Sequence, residues 1–284
     1  MTPQPGPVAL VTGGGSGIGR ATVLHLAAEG YRVVVADLNA PAAEETVELA
    51  GGSALAVRTD VSREPDVAAA VAAAIDRFGR LDVLVNNAGL GGAFGPITEI
   101  EVEDWDFTFA VLTRGTFLGI KHAARVMTAG ASIVNIGSAA AYSGATLAST
   151  AYCAAKAAVL NLTMSAAVEL APRQIRVNAV CPGLVRTPLL ESARGEALAA
   201  ASPPGQPWPR WGRPEDVARA VGYLGGPAAE FVTGQTIVVD GGLTAAGPGP
   251  DFPAAFGLDP RARGLVGVNR GTTGERSEVR RRMS

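Results

Sequence analysis

Residues 12–19 read Thr-Gly-Gly-Gly-Ser-Gly-Ile-Gly and lie between an apolar run at 8–11 and a stretch at 17–29 that contains ATVLHLAAEG. No other segment restricts the chain as much. Glycines at 13, 17 and 19 permit a tight turn and let backbone approach a bound group closely. A helix that opens there aims its unpaired N–H groups at whatever the turn encloses. Strand, glycine turn and helix in that order make the first part of a βαβ unit, and the turn suits a pyrophosphate. The next apolar run, 32–36, ends in Asp37, 18 residues beyond Gly19. A carboxylate at that place binds the 2′-hydroxyl of an adenosine ribose and repels a 2′-phosphate. Neither Ser16 nor Leu38 supplies the positive charge that a 2′-phosphate calls for, so the reading is NAD. Arg20 counts the other way.

The same alternation continues down the chain. Apolar runs at 8–11, 32–36, 54–57, 81–85, 132–136, 175–180 and 236–239 predict strands, and they are apolar on both faces, as strands covered by helices on each side must be. Between them, 17–29, 40–50, 64–78, 102–127, 151–170 and 214–224 predict helices. The pattern is α/β, a Rossmann-type doubly wound parallel sheet of about seven strands in a single domain. It stops at Gly247. Residues 1–246 are therefore expected to form the domain and 247–284 a Pro-, Gly- and Arg-rich tail, disordered or wrapped over a neighbour. The tail holds seven arginines against four acids, so it carries +3 of a net charge of −2 and leaves the body at −5. No basic, aromatic-interleaved face appears, which argues against nucleic acid. No apolar run approaches the roughly 18 residues that a membrane helix needs, and the first residues, MTPQPGP, lack the regions of a signal peptide. Cys153 and Cys181 have neither metal-ligand spacing nor a disulfide framework, and no metal site is expected. A cytoplasmic protein without membrane association is the expectation.

Chemistry concentrates in residues 137–156, GSAAAYSGATLASTAYCAAK. Tyr152 and Lys156 are four residues apart in a helix-forming segment, which puts both on one face about a turn apart. A neighbouring ammonium favours the phenolate and is expected to draw the phenol below its usual value near 10. Such a tyrosine can exchange a proton with an alcohol oxygen, and Ser138 can offer a hydroxyl to the same atom. The chain has only two lysines, Lys121 and Lys156, against twenty-two arginines, so a lysine at this one spacing stands out. Tyr142 has Thr146 rather than a base one turn on and reads as a pocket wall. His25 and His122 are each isolated among apolar neighbours and read as structural.

With these pieces placed, residues 7–243 resemble the short-chain dehydrogenase/reductase family. The matching motifs are TGGGSGIG at 12–19, Asp60-Val61, NNAG at 86–89, Ser138, Tyr-Cys-Ala-Ala-Lys at 152–156, Pro182-Gly183 with Thr187, and DGG at 240–242. The resemblance implies that Gly13, Ser16, Gly17, Ile18 and Gly19, with Asp37 and Leu38, bind NAD at its pyrophosphate and adenosine ribose. It implies that Asp60 and Val61 contact the adenine, and that Asn87, Ala88 and Gly89 line the cofactor. Pro182, Gly183, Val185 and Thr187 would hold the carboxamide. Tyr152 would be the general acid/base and Ser138 would orient the substrate oxygen. Lys156 would tune the tyrosine and bind the nicotinamide ribose, so that Tyr152 and Lys156 also contact the cofactor. Asn86 is expected only to tie neighbouring strands.

One departure matters. The family carries an asparagine after Ala-Val in the segment matching 109–119, where it is associated with a kinked helix and a proton-relaying water. Here that position is Leu112, followed by Thr113, so that Thr113 or backbone carbonyls must take over, or proton exchange is impaired. Residues 184–213 correspond to a substrate lid. Leu189, Leu190, Trp208 and Trp211, with 90–94 and Tyr142, would give a mainly apolar pocket for a small-molecule alcohol or ketone, apolar or cyclic. Helices at 102–127 and 151–170 resemble the family's dimer-forming pair, which implies a homotetramer or dimer. The competing readings are a dehydratase or isomerase on the same fold, and a dinucleotide-sensing protein without turnover.

Overall fold

The computed structural model describes residues 6–52, 54–143, 149–190, 206–246, 265–268 and 278–281. Seven parallel strands form one sheet: β1 (Val8–Thr12), β2 (Arg32–Asp37), β3 (Ala54–Arg58), β4 (Val83–Asn86), β5 (Ser132–Ile136), β6 (Arg176–Pro182) and β7 (Thr236–Val239). Their order is β3-β2-β1-β4-β5-β6-β7, so the winding reverses between β1 and β4. A reversal of this kind opens a crevice at the carboxyl ends of the strands. Among the described residues the longer helices are α1 (Gly17–Ala28), α2 (Ala40–Leu49), α3 (Glu64–Phe78), α4 (Val102–Phe109), α5 (Gly115–Val126), α6 (Thr150–Leu170) and α7 (Pro214–Gly225).

Strand alternation divides the core in two. Val34 and Ala36 of β2 join Leu10, Leu84, Ile133 and Val177 in a cluster with residues of α3, α5 and α6. Val33 and Val35 face the other way, among Val11, Val85, Val134 and Val180 and residues of α1 and α7. Because both faces are covered, the central strands lack a polar side.

Local chemistry fixes the helix ends. Asn39 caps α2 by accepting from the Ala42 N–H at 3.3 Å, Pro65 begins α3, and Gly79 ends α3 in the left-handed region at φ 81°. Asp216 accepts from the Arg213 N–H at 2.8 Å at the start of α7. At the other end of α7, Arg176 of β6 donates to the carbonyls of Leu224 (2.6 Å) and Gly226 (3.1 Å).

Three expectations need correction. The helix expected over 102–127 is two helices joined by a π-turn, Ala110–Arg114. A π-turn widens the backbone by one residue; here the Leu112 carbonyl accepts from the Thr116 hydroxyl at 2.8 Å, and Thr113 donates to the Ala155 carbonyl on α6 at 3.2 Å. Second, Thr150–Arg173 is long and apolar enough to cross a membrane by length and composition, with a mean hydropathy of 1.3. Its buried positions, Ala151, Ala155, Lys156, Val159, Thr163, Ala166, Ala167 and Leu170, nevertheless form one stripe that packs on β6, as a core helix does. Third, the tail holds regular structure. Contacts divide the chain into two compact units, Met1–Thr244 and Ala245–Ser284, and within the second Leu265–Val268 pairs antiparallel with Glu278–Arg281. The remaining tail positions, 247–264, 269–277 and 282–284, lie outside the described residues.

Candidate active site

A cavity of about 690 Å³ opens at the carboxyl ends of the strands. Its walls include Gly13, Ser16, Gly17 and Ile18 from the glycine turn, Asp37 and Leu38 after β2, and Asp60 and Val61 after β3. Asn87, Ala88 and Gly89 follow β4, and Pro182, Gly183, Val185 and Thr187 close another side. Ser138, Tyr152 and Lys156 line the same space. Of the residues expected to bind the cofactor or to react, Gly19 alone lies outside this lining. A Cβ there would collide with the Gly13 carbonyl oxygen, so Gly19 serves the close packing of helix on turn.

The turn fits a dinucleotide. Gly13 and Gly17 have φ of 63° and 50°, where a side chain is strained, and a Cβ on Gly13 would reach the Ala88 Cα at 2.8 Å. Ser16 caps α1 without a side-chain hydrogen bond, which leaves the first-turn N–H groups of a 12-residue helix to meet a pyrophosphate. Asp37 accepts from the Gly15 N–H at 2.8 Å on Oδ2 and from the Asn39 N–H at 2.9 Å on Oδ1, so the carboxylate is oriented while lone pairs remain for a ribose. Asp60 Oδ1 is likewise held, by the Ser62 N–H and hydroxyl at 2.9 and 2.6 Å.

Thr12 was not singled out by motif reading, yet it organises this end. Its hydroxyl accepts from the N–H groups of Asn87 (3.0 Å) and Ala88 (3.1 Å) and donates toward the Val85 carbonyl. Asn87 in return spends its amide on the carbonyls of Thr12 (2.9 Å) and Gly13 (3.1 Å). The two strand ends are thus tied across the crevice. Asn86 donates to Asn135 at 2.9 Å and Asn135 to Thr163 at 2.9 Å, which links β4, β5 and α6.

On the catalytic side, Tyr152 and Lys156 do share a face of α6, with the Lys156 Nζ 5.9 Å from the centroid of the phenol ring. The expected electrostatics fail in one respect. Burial pushes the Tyr152 phenol up, and a hydrogen bond with Ser138 pulls it part of the way back. Lys156 itself donates one N–H to the Ile136 carbonyl at 2.7 Å and is desolvated. That desolvation pulls Lys156 down from an ordinary 10.5 to about 8. Ser138, the last residue before a short 3₁₀ turn (Ala139–Tyr142), also accepts from the Ala140 N–H at 3.2 Å.

Leu112 is buried in the π-turn against this cluster. A Cβ on Gly89 would lie 3.2 Å from Leu112 Cδ2 and 4.0 Å from Lys156 Nζ. The kink therefore forms without an asparagine, and Leu112 and Lys156 both approach Gly89.

The apolar part of the wall is only partly the expected one. Leu90, Leu189 and Leu190 contribute, whereas Phe94, Tyr142 and Trp208 are exposed (84%, 53% and 60%) and lie outside the lining. The Tyr142 hydroxyl instead turns to Thr236 and Cys181. Trp211 is not among the wall residues, and lid positions 191–205 lie outside the described residues. Phe107 and Val111 line the cavity unforeseen, and Leu184, at the start of the expected lid, lines it too. No local signal marks Phe107, since only the packing of α4 brings it there. Among the described residues no cluster of His, Cys, Asp or Glu can hold a metal ion.

A family profile described as enoyl-(acyl carrier protein) reductase matches residues 13–244. A cis-4-hydroxycyclohexanecarboxylate dehydrogenase of Sinomonas cyclohexanicum is 45% identical over 242 residues, 84% of this chain and 96% of the relative. A 2,5-dichloro-2,5-cyclohexadiene-1,4-diol dehydrogenase of Sphingobium indicum is 41% identical over 251 residues, 86% of this chain and 100% of the relative. Among solved structures, a short-chain type dehydrogenase/reductase from Mycobacterium ulcerans superposes with a TM-score of 0.79 at 38% identity, covering 88% of this chain and 93% of that one.

Proposed function

The chain belongs to the short-chain dehydrogenase/reductase family, and from that premise we propose that it interconverts a cyclic secondary alcohol and its ketone, with NAD as the dinucleotide and Tyr152 as general acid/base. An oxidoreductase acting on small-molecule secondary alcohols with a nicotinamide dinucleotide is the coarser statement that the family and its relatives carry. One observation supports the finer reading: Ser138, Tyr152 and Lys156 line the same cavity as the glycine turn and Asp37.

In the oxidative direction the Tyr152 phenolate takes the hydroxyl proton of the alcohol, and Ser138 donates to the same oxygen as charge develops on it. When bound, the nicotinamide ring supplies the hydride acceptor. Lys156 has one N–H on the Ile136 carbonyl and two further donors, which we assign to the nicotinamide ribose and the tyrosine hydroxyl. Because burial raises Tyr152, its protonated form prevails near neutrality and suits ketone reduction, while oxidation gains as pH rises and phenolate forms. Asp37 argues for NAD. Leu90, Phe107, Val111, Leu184 and Leu189 offer a ring-sized substrate an apolar wall, in keeping with relatives named for cyclohexane and cyclohexadiene alcohols.

We further assign catalysis to residues 1–246 and treat 247–284 as an appendage. Exposed Phe117, Met164 and Val168 on α5 and α6 suit a homotetramer or dimer. The free thiols Cys153 and Cys181 suit the cytoplasm.

A panel of cyclic alcohols and ketones, offered with NAD and NADP side by side to the wild type and Tyr152→Phe, tests the proposal. Turnover is expected to fall about a hundred- to ten-thousandfold in the variant while its NAD dissociation constant stays unchanged. Undiminished turnover would refute the role of Tyr152. Product formed without net change in reduced-nicotinamide absorbance would mark a dehydratase or isomerase, and NAD binding without turnover a sensor.

A further inference from the structure

Arg20 stands in the first turns of α1, beside the glycine turn, yet it does not line the cavity. Its guanidinium is committed elsewhere. Nη2 and Nε donate to the Gly15 carbonyl at 2.7 and 3.0 Å, Nε also to the Thr46 hydroxyl at 3.1 Å, and Nη2 to Glu45 Oε2 at 2.6 Å. The Gly15 N–H meanwhile donates to Asp37 Oδ2 at 2.8 Å. One residue of the turn, Gly15, is therefore gripped on both sides, its N–H by the acid that faces the ribose and its carbonyl by an arginine that α2 holds through Glu45 and Thr46. The slot is tight: a Cβ on Gly15 would lie 2.9 Å from Asp37 Oδ2 and 3.0 Å from the Ala42 Cβ.

An arginine near the ribose end of a dinucleotide site is what accommodates a 2′-phosphate. Arg20 is one residue removed from Asp37 through Gly15, so its charge stands next to the carboxylate that would meet such a phosphate. We propose that Glu45 is a specificity-determining residue, which withholds Arg20 from the cavity by pinning it to α2 and so strengthens the discrimination against NADP that Asp37 begins. Glu45 does this from the surface, with 59% of its side chain exposed against 27% for Arg20, and neither residue touches the reacting groups. The inference rests on the NAD reading above.

The test is a cycle of wild type, Glu45→Gln, Arg20→Gln and the double variant, with NAD and NADP dissociation constants measured by titration calorimetry on the intact chain. Release of Arg20 from an exposed ion pair is worth about fivefold, so Glu45→Gln is expected to tighten NADP by about that factor relative to NAD. The gain should vanish when Arg20 is also Gln. An unchanged ratio in Glu45→Gln overturns the inference, and so does a gain that survives in the double variant, since removal of the Glu45 charge would then act directly. Reading the ratio of the two constants cancels any general damage to the turn. A wild type that binds NADP more tightly than NAD overturns the cofactor reading itself, a separate outcome.

Discussion

Replacing Lys156 by methionine should change how stability depends on pH, and by a calculable amount. Lys156 is buried, and desolvation lowers it from 10.5 to about 8. Between those values the unfolded chain binds a proton that the folded chain does not, so stability rises with pH across the window. The contribution is complete above 10.5 and is lost as pH falls through about 8. A shift of this size corresponds to about 3 kcal/mol, at roughly 1.4 kcal/mol for each pH unit. Methionine keeps the length of the side chain and removes the titration. Urea unfolding of wild type and Lys156→Met, at one protein concentration and at pH 7, 8, 9 and 10, isolates the effect, because all other groups are common to both. At pH 7 the two proteins need not differ much: the variant escapes the buried charge but leaves the Ile136 carbonyl without its donor. The difference between them should grow in favour of the wild type by most of 3 kcal/mol toward pH 10. A difference that stays constant over that range would refute the claim that burial depresses this lysine.

Three further outcomes follow from the geometry. Leu112→Asn places an amide in a dry pocket and should cost about 2–3 kcal/mol of stability, with turnover unchanged within twofold because Lys156 is already anchored on the Ile136 carbonyl; a tenfold gain in kcat would mean that proton exchange limits the enzyme. Arg176→Met strands the carbonyls of Leu224 and Gly226 at the end of α7 and should lower stability by about 2 kcal/mol, or roughly 4–8 °C in Tm; a shift below a degree contradicts it. Burial pushes the Cys181 thiol up to about 11, so a thiol reagent at pH 8 should label Cys153 and spare Cys181 until the chain unfolds. Equal labelling rates by peptide mapping would count against that burial.

The order of strands and helices was legible because it rests on local rules: apolar runs of strand length and glycines where φ must be positive. The chemistry of the site was legible where it is carried by spacing along one element, as with Tyr152 and Lys156, or by the end of a strand, as with Asp37. What the sequence by itself determined is thus the doubly wound sheet, the turn and which side chains are candidates for the reaction. Tertiary structure alone decided their environment. It set the Tyr152 phenol upward rather than downward, since desolvation depends on everything packed around a group and not on its neighbour four residues away. It decided that Arg20 is tied to Glu45 and Gly15, that Thr12 clasps the ends of β1 and β4, and that Phe107 reaches the cavity while Phe94 does not. The ties of Arg20 to Glu45 and of Thr12 to Asn87 span long stretches of chain, and no local periodicity encodes them.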